Sequence, residues 1–216
     1  MIHSFCHGFD ADVVIQGMMS GNHWPRAAYL KDEVSASALC RLCLLDSRWA
    51  RHAADAAHYG TWMHALFAAY LNGVGVPTSS PEFRMFADFM SSFASPVTAF
   101  RTKWVIYADR EKLAGAIDFC AKMPDDTFII VDWKHTAGLR GKFTSWNRMK
   151  APLDHLDDCA GMQYRLQLNC YRYILETYYD LVNSRMFVVC CHPDHSAHPF
   201  VDVVPRMEWE TEMMMA

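Results

Sequence analysis

Five stretches of the chain, 100–107, 113–120, 127–132, 185–191 and 200–204, are dense in β-branched and apolar residues and read as strands. Three others repeat their apolar positions at helical spacing. The first runs over 35–73, interrupted around Asp46 and Ser47 and stopped by Asn72-Gly73; the second covers 82–93, with Phe83, Phe86, Phe89 and Met90 inward. The third covers 162–178, with Leu166, Cys170, Tyr173 and Ile174 on its apolar side. Met123-Pro-Asp-Asp126 carries turn chemistry, so the second and third strands form a hairpin. This order predicts an α/β fold: a mixed sheet in α-β-β-β-α-β sequence, crossed by a long helix, behind an N-terminal helical region. It divides the chain into an extension (1–34), a domain (35–205) and a tail (206–216) whose Met-rich end is expected to fray.

The hairpin brings chemistry with it. Asp118 falls near the close of one strand and Asp132 near the close of the next, where two carboxylates meet at one hard cation. Lys134 lies two residues past Asp132, and side chains alternate along a strand, so both point to one face while Trp133 points to the other. A cation flanked by an ammonium suits phosphodiester hydrolysis, in which the metal polarises the phosphate and Lys134 orients the nucleophile or screens charge. Asp-x-Lys alone is more often a surface pair. On the long helix, Gln163, Gln167 and Tyr171 recur every four residues on one stripe; beside the carboxylates they read as groups for phosphate, base or water, and otherwise as a half-buried face. His64, in Gly60-Thr-Trp-Met-His64, is expected near the start of a helix running to Leu71.

Gly60-Thr-Trp-Met-His64, Gly115-Ala-Ile-Asp118, Asp132-Trp-Lys134 and Gln167-Leu-Asn-Cys-Tyr171, in this order, resemble the RecB-like branch of the PD-(D/E)xK nuclease superfamily over about 35–205, most of all its single-domain viral and microbial exonucleases. The resemblance implies a restriction-endonuclease-like core and a metal-dependent deoxyribonuclease. In it His64, Asp118, Asp132 and the Trp133 carbonyl would hold the metal, and Lys134 would be the catalytic lysine. An imidazole among oxygens suits Mn2+ at least as well as Mg2+. Arg101-Thr-Lys103-Trp104 resembles a family segment that usually has glutamate where this chain has Lys103. An ammonium there would repel a second cation and pair with Asp118 or Asp132, so one ion is expected rather than two; a one-residue shift of the alignment would instead leave Lys103 facing solvent. The alternative function is a weakened or inactive nuclease-fold module that binds nucleic acid or a partner.

The chain has 216 residues, 52% of them hydrophobic, enough to bury a core without staples. No apolar span is long enough for a membrane helix and the N-terminus lacks a secretory pattern, so an intracellular protein, or part of a larger one, is expected. The eight cysteines fall mostly in apolar patterns and are expected as free thiols. Cys40 and Cys43 have no late partners at iron–sulfur spacing other than the adjacent Cys190 and Cys191, so no cluster is expected. A net charge of −4 excludes a protein that coats nucleic acid by charge alone, and any binding has to be local. Lys134, Arg140, Lys142, Arg148 and Lys150 form one basic run. It reads equally as a mobile loop tracking a phosphate backbone, with Phe143 or Trp146 stacking on an unpaired base, or as a solvated loop with two aromatic anchors. Asp154, Asp157 and Asp158 then reverse the sign. His192, His195 and His198, in a loop without an evident carboxylate partner, are expected to bind nothing.

Overall fold

The computed structural model describes residues 1–7, 38–93, 97–195 and 198–216, with backbone alone for 38–50 and 52. Most of the extension at 1–34 therefore lies outside the described residues, as do the side chains of Cys40 and Cys43. Two compact units divide the chain: Met1–His7 with Tyr59–Ala216, and Gly8–His58.

Helix α1, Ala38–Leu71, runs through both units without the break expected at Asp46 and Ser47. Its alanine-rich middle has high helix propensity, and one glycine, Gly60, costs only about 1 kcal/mol. His64 consequently lies near the C-terminal end of a long helix rather than at the start of a short one. The helix stops where expected. Gly73 adopts φ +76°, its N–H bonds the Tyr70 carbonyl, and the Val74 N–H bonds that of Ala69, which satisfies the last open carbonyls. Helix α2, Pro81–Ser91, begins at Ser80, whose hydroxyl accepts from the Phe83 N–H at 3.1 Å, with proline in the first turn.

Strands β1 (Thr98–Ala108), β2 (Leu113–Lys122), β3 (Phe128–Lys134), β4 (Asn183–Cys190) and β5 (Phe200–Val204) form a five-stranded sheet in sequential order. All neighbours are antiparallel except β3 and β4, which helix α3, Ala160–Tyr178, connects as a parallel pair. The α/β class and mixed sheet read from the sequence are thus present. One face of the sheet packs Phe119, Val131, Trp133 and Val189 against Met63, Phe67, Phe83, Phe86 and Phe89 of α1 and α2. The other packs Ile106, Ile117, Ile130 and Val188 against Leu168, Ile174 and Leu175 of α3. No described helix is long and apolar enough to cross a membrane.

The Met-rich end does not fray. Residues Glu208–Met215 form helix α4, with Met207 and Met214 buried against Leu166 and Cys170 of α3 and against Cys6. Asn169 accepts from the Met207 N–H at 2.9 Å and donates to the Pro205 carbonyl, and Arg172 pairs with Glu208 at 2.8 Å. The basic segment after β3 is also built in. Leu139 and Met149 are buried, the Gly161 N–H bonds the Lys142 carbonyl, and Arg148 pairs with Asp157. The acidic residues that follow are therefore partly taken up internally.

Candidate functional site

The β2–β3 ladder ends at the pair Phe119↔Val131. Beyond it the strands part, and Asp118 and Asp132 stand at the fork, 7% and 4% exposed. The Trp133 N–H donates across the fork to Asp118 Oδ2 at 3.0 Å. Trp133 is anchored from below: its ring lies 5.4 Å from those of Phe67 and Phe86 and 5.6 Å from that of Phe89. A buried aromatic hub thus fixes β3 at the residue between Asp132 and Lys134, which leaves both on the opposite face.

Lys103 belongs to this site. It falls between the β1–β2 pairs Thr102↔Phe119 and Trp104↔Ile117, opposite Asp118, and has φ +47°, a left-handed conformation that is strained for lysine. Its ammonium lies 2.6 Å from Asp118 Oδ1 and 2.5 Å from His64 Nδ1. His64 Nε2 lies 2.8 Å from the Trp133 carbonyl, which only accepts, so Nε2 carries the ring proton. Nδ1 stands between Lys103 Nζ and Asp118 Oδ1, 3.0 Å from the carboxylate: neutral, it accepts from Lys103, and protonated, it donates to Asp118. Of the partners open to Lys103, Asp118 is the one it pairs with.

Burial works to raise the Asp118 carboxyl, yet its contacts with His64 and Lys103 hold it at about 2. Asp132 goes the other way. Burial pushes it up to about 6, against the attraction of Lys134 and with repulsion from Asp118. Lys134 Nζ is 2.6 Å from Asp132 Oδ2 but off the hydrogen-bonding direction, so that oxygen is buried without a hydrogen-bond partner. Burial disfavours the Lys134 ammonium, but the Asp132 charge outweighs it and holds its pKa above the ordinary range.

As they stand, no three His, Cys, Asp or Glu side chains among the described residues form a metal cage. The donor types gathered at the fork are nevertheless those a divalent ion takes. A cation, the Lys103 ammonium, is already held by an imidazole nitrogen and a carboxylate, and the buried Asp132 Oδ2 has the Lys134 ammonium beside it. Imidazole, carboxylate and the Trp133 carbonyl suit manganese or magnesium. The Lys103 side chain is 45% exposed.

Gln167 donates to the Tyr171 hydroxyl at 2.7 Å, and the Tyr171 ring packs against Gly115, where a Cβ would come within 2.3 Å of it. Gln163 is turned toward Asp158, to which it donates at 3.2 Å. A residue not singled out from the sequence joins them: Tyr164 carries the Lys134 ammonium 4.3 Å above its ring. Its helical spacing to Gln167 and Tyr171 was the available signal. Arg140 and Lys142 are exposed on the segment after β3, with Arg140 over the Phe200 ring at 5.6 Å. Phe143 is not available for stacking. It packs against Gly161, beneath the Arg165 guanidinium at 4.7 Å, and 5.8 Å from Phe200, whereas Trp146 is fully exposed.

Two of the loop histidines have carboxylate partners: His198 pairs with Asp88 at 2.9 Å and His192 lies 3.6 Å from Asp194, and the His192 ring packs 4.6 Å from that of His135. Among the described residues the cysteines are free thiols, and burial pushes Cys120 and Cys170 up to about 12. Compared with known proteins, the sequence matches no family model and no curated protein.

Proposed function

We propose that this chain is a metal-dependent nuclease domain of the RecB-like PD-(D/E)xK kind, with a restriction-endonuclease-like core, that hydrolyses phosphodiester bonds in DNA. The observation that carries this reading is the fork of β2 and β3, where Asp118, Asp132 and Lys134 meet His64 and the Trp133 carbonyl. His64, Asp118, Asp132 and the Trp133 carbonyl would hold Mn2+ or Mg2+, which when bound polarises the scissile phosphate and acidifies water. Lys134, kept charged by Asp132, stabilises the charge that develops on the phosphoryl oxygens and orients the attacking water. The aromatic hub beneath Trp133 keeps that lysine in place, and Tyr164 limits its sideways freedom. Gln167 and Tyr171 line the approach for the substrate strand.

A second reading has its own support. Lys103 bridges His64 and Asp118, which favours a domain that binds nucleic acid but turns over slowly or not at all. Cleavage of labelled linear and circular DNA, single- and double-stranded, with Mn2+ or Mg2+, separates the two. Metal-dependent cutting by the native chain that Lys134→Ala abolishes is the expected result. Binding without cutting under either metal overturns the nuclease reading and favours the second.

A further inference from the structure

Just past the end of the β3–β4 ladder, three histidines and a glutamate gather. The ladder closes at Lys134↔Cys190, where the Cys191 N–H bonds the Lys134 carbonyl. His135 and His192 therefore leave the two strands side by side, their rings 4.6 Å apart and tilted by 55°. His195, in the turn Pro193–His195, brings a third ring 6.0 Å from that of His192. Glu82, in the first turn of α2, places Oε1 3.4 Å from His135 Nε2, and both of these side chains are only 8% exposed.

These spacings are those of ligands around one ion. Donors about 2.0–2.2 Å from zinc stand roughly 3.3–3.5 Å apart in a tetrahedron, and two imidazoles on one ion have ring centres roughly 5 Å apart. The Glu82–His135 separation matches the first figure, and the two ring separations bracket the second. A plain ion pair would be closer, since a charge-assisted hydrogen bond is about 2.7–2.9 Å long.

The loop histidines also have nitrogens to give. His195 Nδ1 is buried without a hydrogen-bond partner, a deficit that a ligated ion removes. His192 Nδ1 accepts from the Asp194 N–H at 3.2 Å, which leaves Nε2 for an ion. With Nε2 ligated, Nδ1 carries the proton and has Asp194 Oδ2, 3.6 Å away, as the carboxylate that orients a metal-bound histidine. Burial and the neighbouring His135 hold the His192 pKa below its ordinary value, so the ring is neutral, the form that binds metal. The set is open as it stands, no three of its donors meeting at one point among the described residues. Closing it takes rotation of the His192 and His195 rings, because Glu82 and His135 are already at ligand spacing, and the turn that carries both rings is exposed at Pro193 and Asp194.

We propose that Glu82, His135, His192 and His195 form a zinc site, separate from the fork, that ties the start of α2 and the turn after β4 to the end of β3. Three imidazoles and one carboxylate fill the four positions of a tetrahedral ion, which defines a closed, structural centre rather than one with a position open to reacting water. His135 follows Lys134 directly, so the ion braces β3 at the residue beyond that lysine. The proposal does not depend on the nuclease reading.

The test is calorimetric titration of the full native chain with Zn2+, after EDTA stripping and with the thiols kept reduced. The expected result is one tight Zn2+ that His192→Gln and His195→Gln each weaken at least about tenfold and that Asp118→Asn, at the fork, leaves unchanged. Asp194→Asn should weaken it about tenfold to a hundredfold, the cost of removing a carboxylate behind a histidine ligand. Co2+ in place of zinc should give the intense visible bands of tetrahedral coordination without the charge-transfer band of thiolate ligands. Circular dichroism in EDTA confines the comparison to folded chains, and the exposed Asp194 supplies a variant that leaves the ligands in place. Absence of tight Zn2+ binding, equal affinity in the native chain and both loop variants, or a thiolate band overturns the proposal. If Asp118→Asn alone weakens zinc, the ion sits at the fork and the proposal is wrong while the nuclease reading is untouched. Zinc weakened by the loop variants, with no DNA cut by the native chain under Mn2+ or Mg2+, keeps the zinc site and removes the nuclease reading.

Discussion

On the proposed function, Lys103 is the group a metal ion would have to displace, because its ammonium sits against two of the atoms that would ligate one. Lys103→Met should therefore raise Mn2+ affinity in calorimetry by about tenfold or more, each tenfold being ~1.4 kcal/mol. It should also lower the melting temperature in EDTA, because Asp118 loses the charge that compensates its burial. Lys103→Gly should be the more stable of the two by about 1 kcal/mol, since glycine adopts φ +47° without strain. Unchanged Mn2+ affinity in both would mean that the bridge does not compete with metal. Asp132 makes a separate prediction about pH. Its carboxyl is raised from 3.8 to about 6, so between these values the folded protein binds more protons than the unfolded chain, and stability falls as pH rises. Asp118, depressed to about 2, contributes stability that is fully present above 3.8 and is lost only as pH falls toward 2, outside that window. Denaturant unfolding from pH 4 to pH 7 should show Asp132→Asn gaining on the native chain by on the order of 3 kcal/mol across the window. A constant difference would mean that Asp132 ionises normally.

Two glycines test how the elements carry the site. Gly60, within α1, has nothing within 4 Å of an added Cβ, so Gly60→Ala should raise stability by about 0.5–1 kcal/mol from helix propensity alone. Gly115 in β2 is different, because a Cβ would sit 2.3 Å from Tyr171. Gly115→Ala should push the ring out, break the 2.7 Å bond from Gln167 and lower cleavage at least tenfold while the chain stays folded by circular dichroism. The elements themselves were largely legible, since strand and helix periods survive in a single sequence; β5 matched over Phe200–Val204 and the hairpin turn fell at Met123–Asp126. So was the set Asp118, Asp132 and Lys134: alternation along β3 puts Asp132 and Lys134 on one face, and the hairpin brings Asp118 of β2 beside them. The ion pair of Lys103 was open between partners, because which carboxylate an ammonium reaches depends on strand register and on the reversed φ at that residue. Helix α4 was not legible: its stability comes from Asn169 and Arg172 reaching across from α3, contacts that leave no local trace. Which of its two readings Phe143 takes, stacking or anchoring, was open for the same reason: its partners Gly161, Arg165 and Phe200, which make it an anchor, are distant in sequence.

For the molecule as a whole, charge limits how DNA would be held under the proposed function. With a net charge of −4 the surface repels a polyanion on average, so attraction has to come from a few cations near the fork. Arg140 and Lys142 are exposed on a segment braced to α3 through the Lys142 carbonyl, and Trp146 stands fully exposed farther along it. Counterion release then sets the expectation: for single-stranded DNA each phosphate contact contributes about −0.7 to the slope of log K against log salt. The native chain should have a slope of about −2 to −3, the value for three or four contacts, and Arg140→Ala and Lys142→Ala should each reduce its magnitude by about 0.7. Trp146→Ala tests the other contribution, because stacking releases no counterions: it should weaken binding by about 1–3 kcal/mol with the slope unchanged. Titrations of a labelled single strand at several salt concentrations measure all four proteins together. A native slope near that of proteins that coat DNA through six to ten phosphates would mean that a wider surface binds. The Asp118–Lys134 fork would then be one contact among many rather than the place where the strand is held.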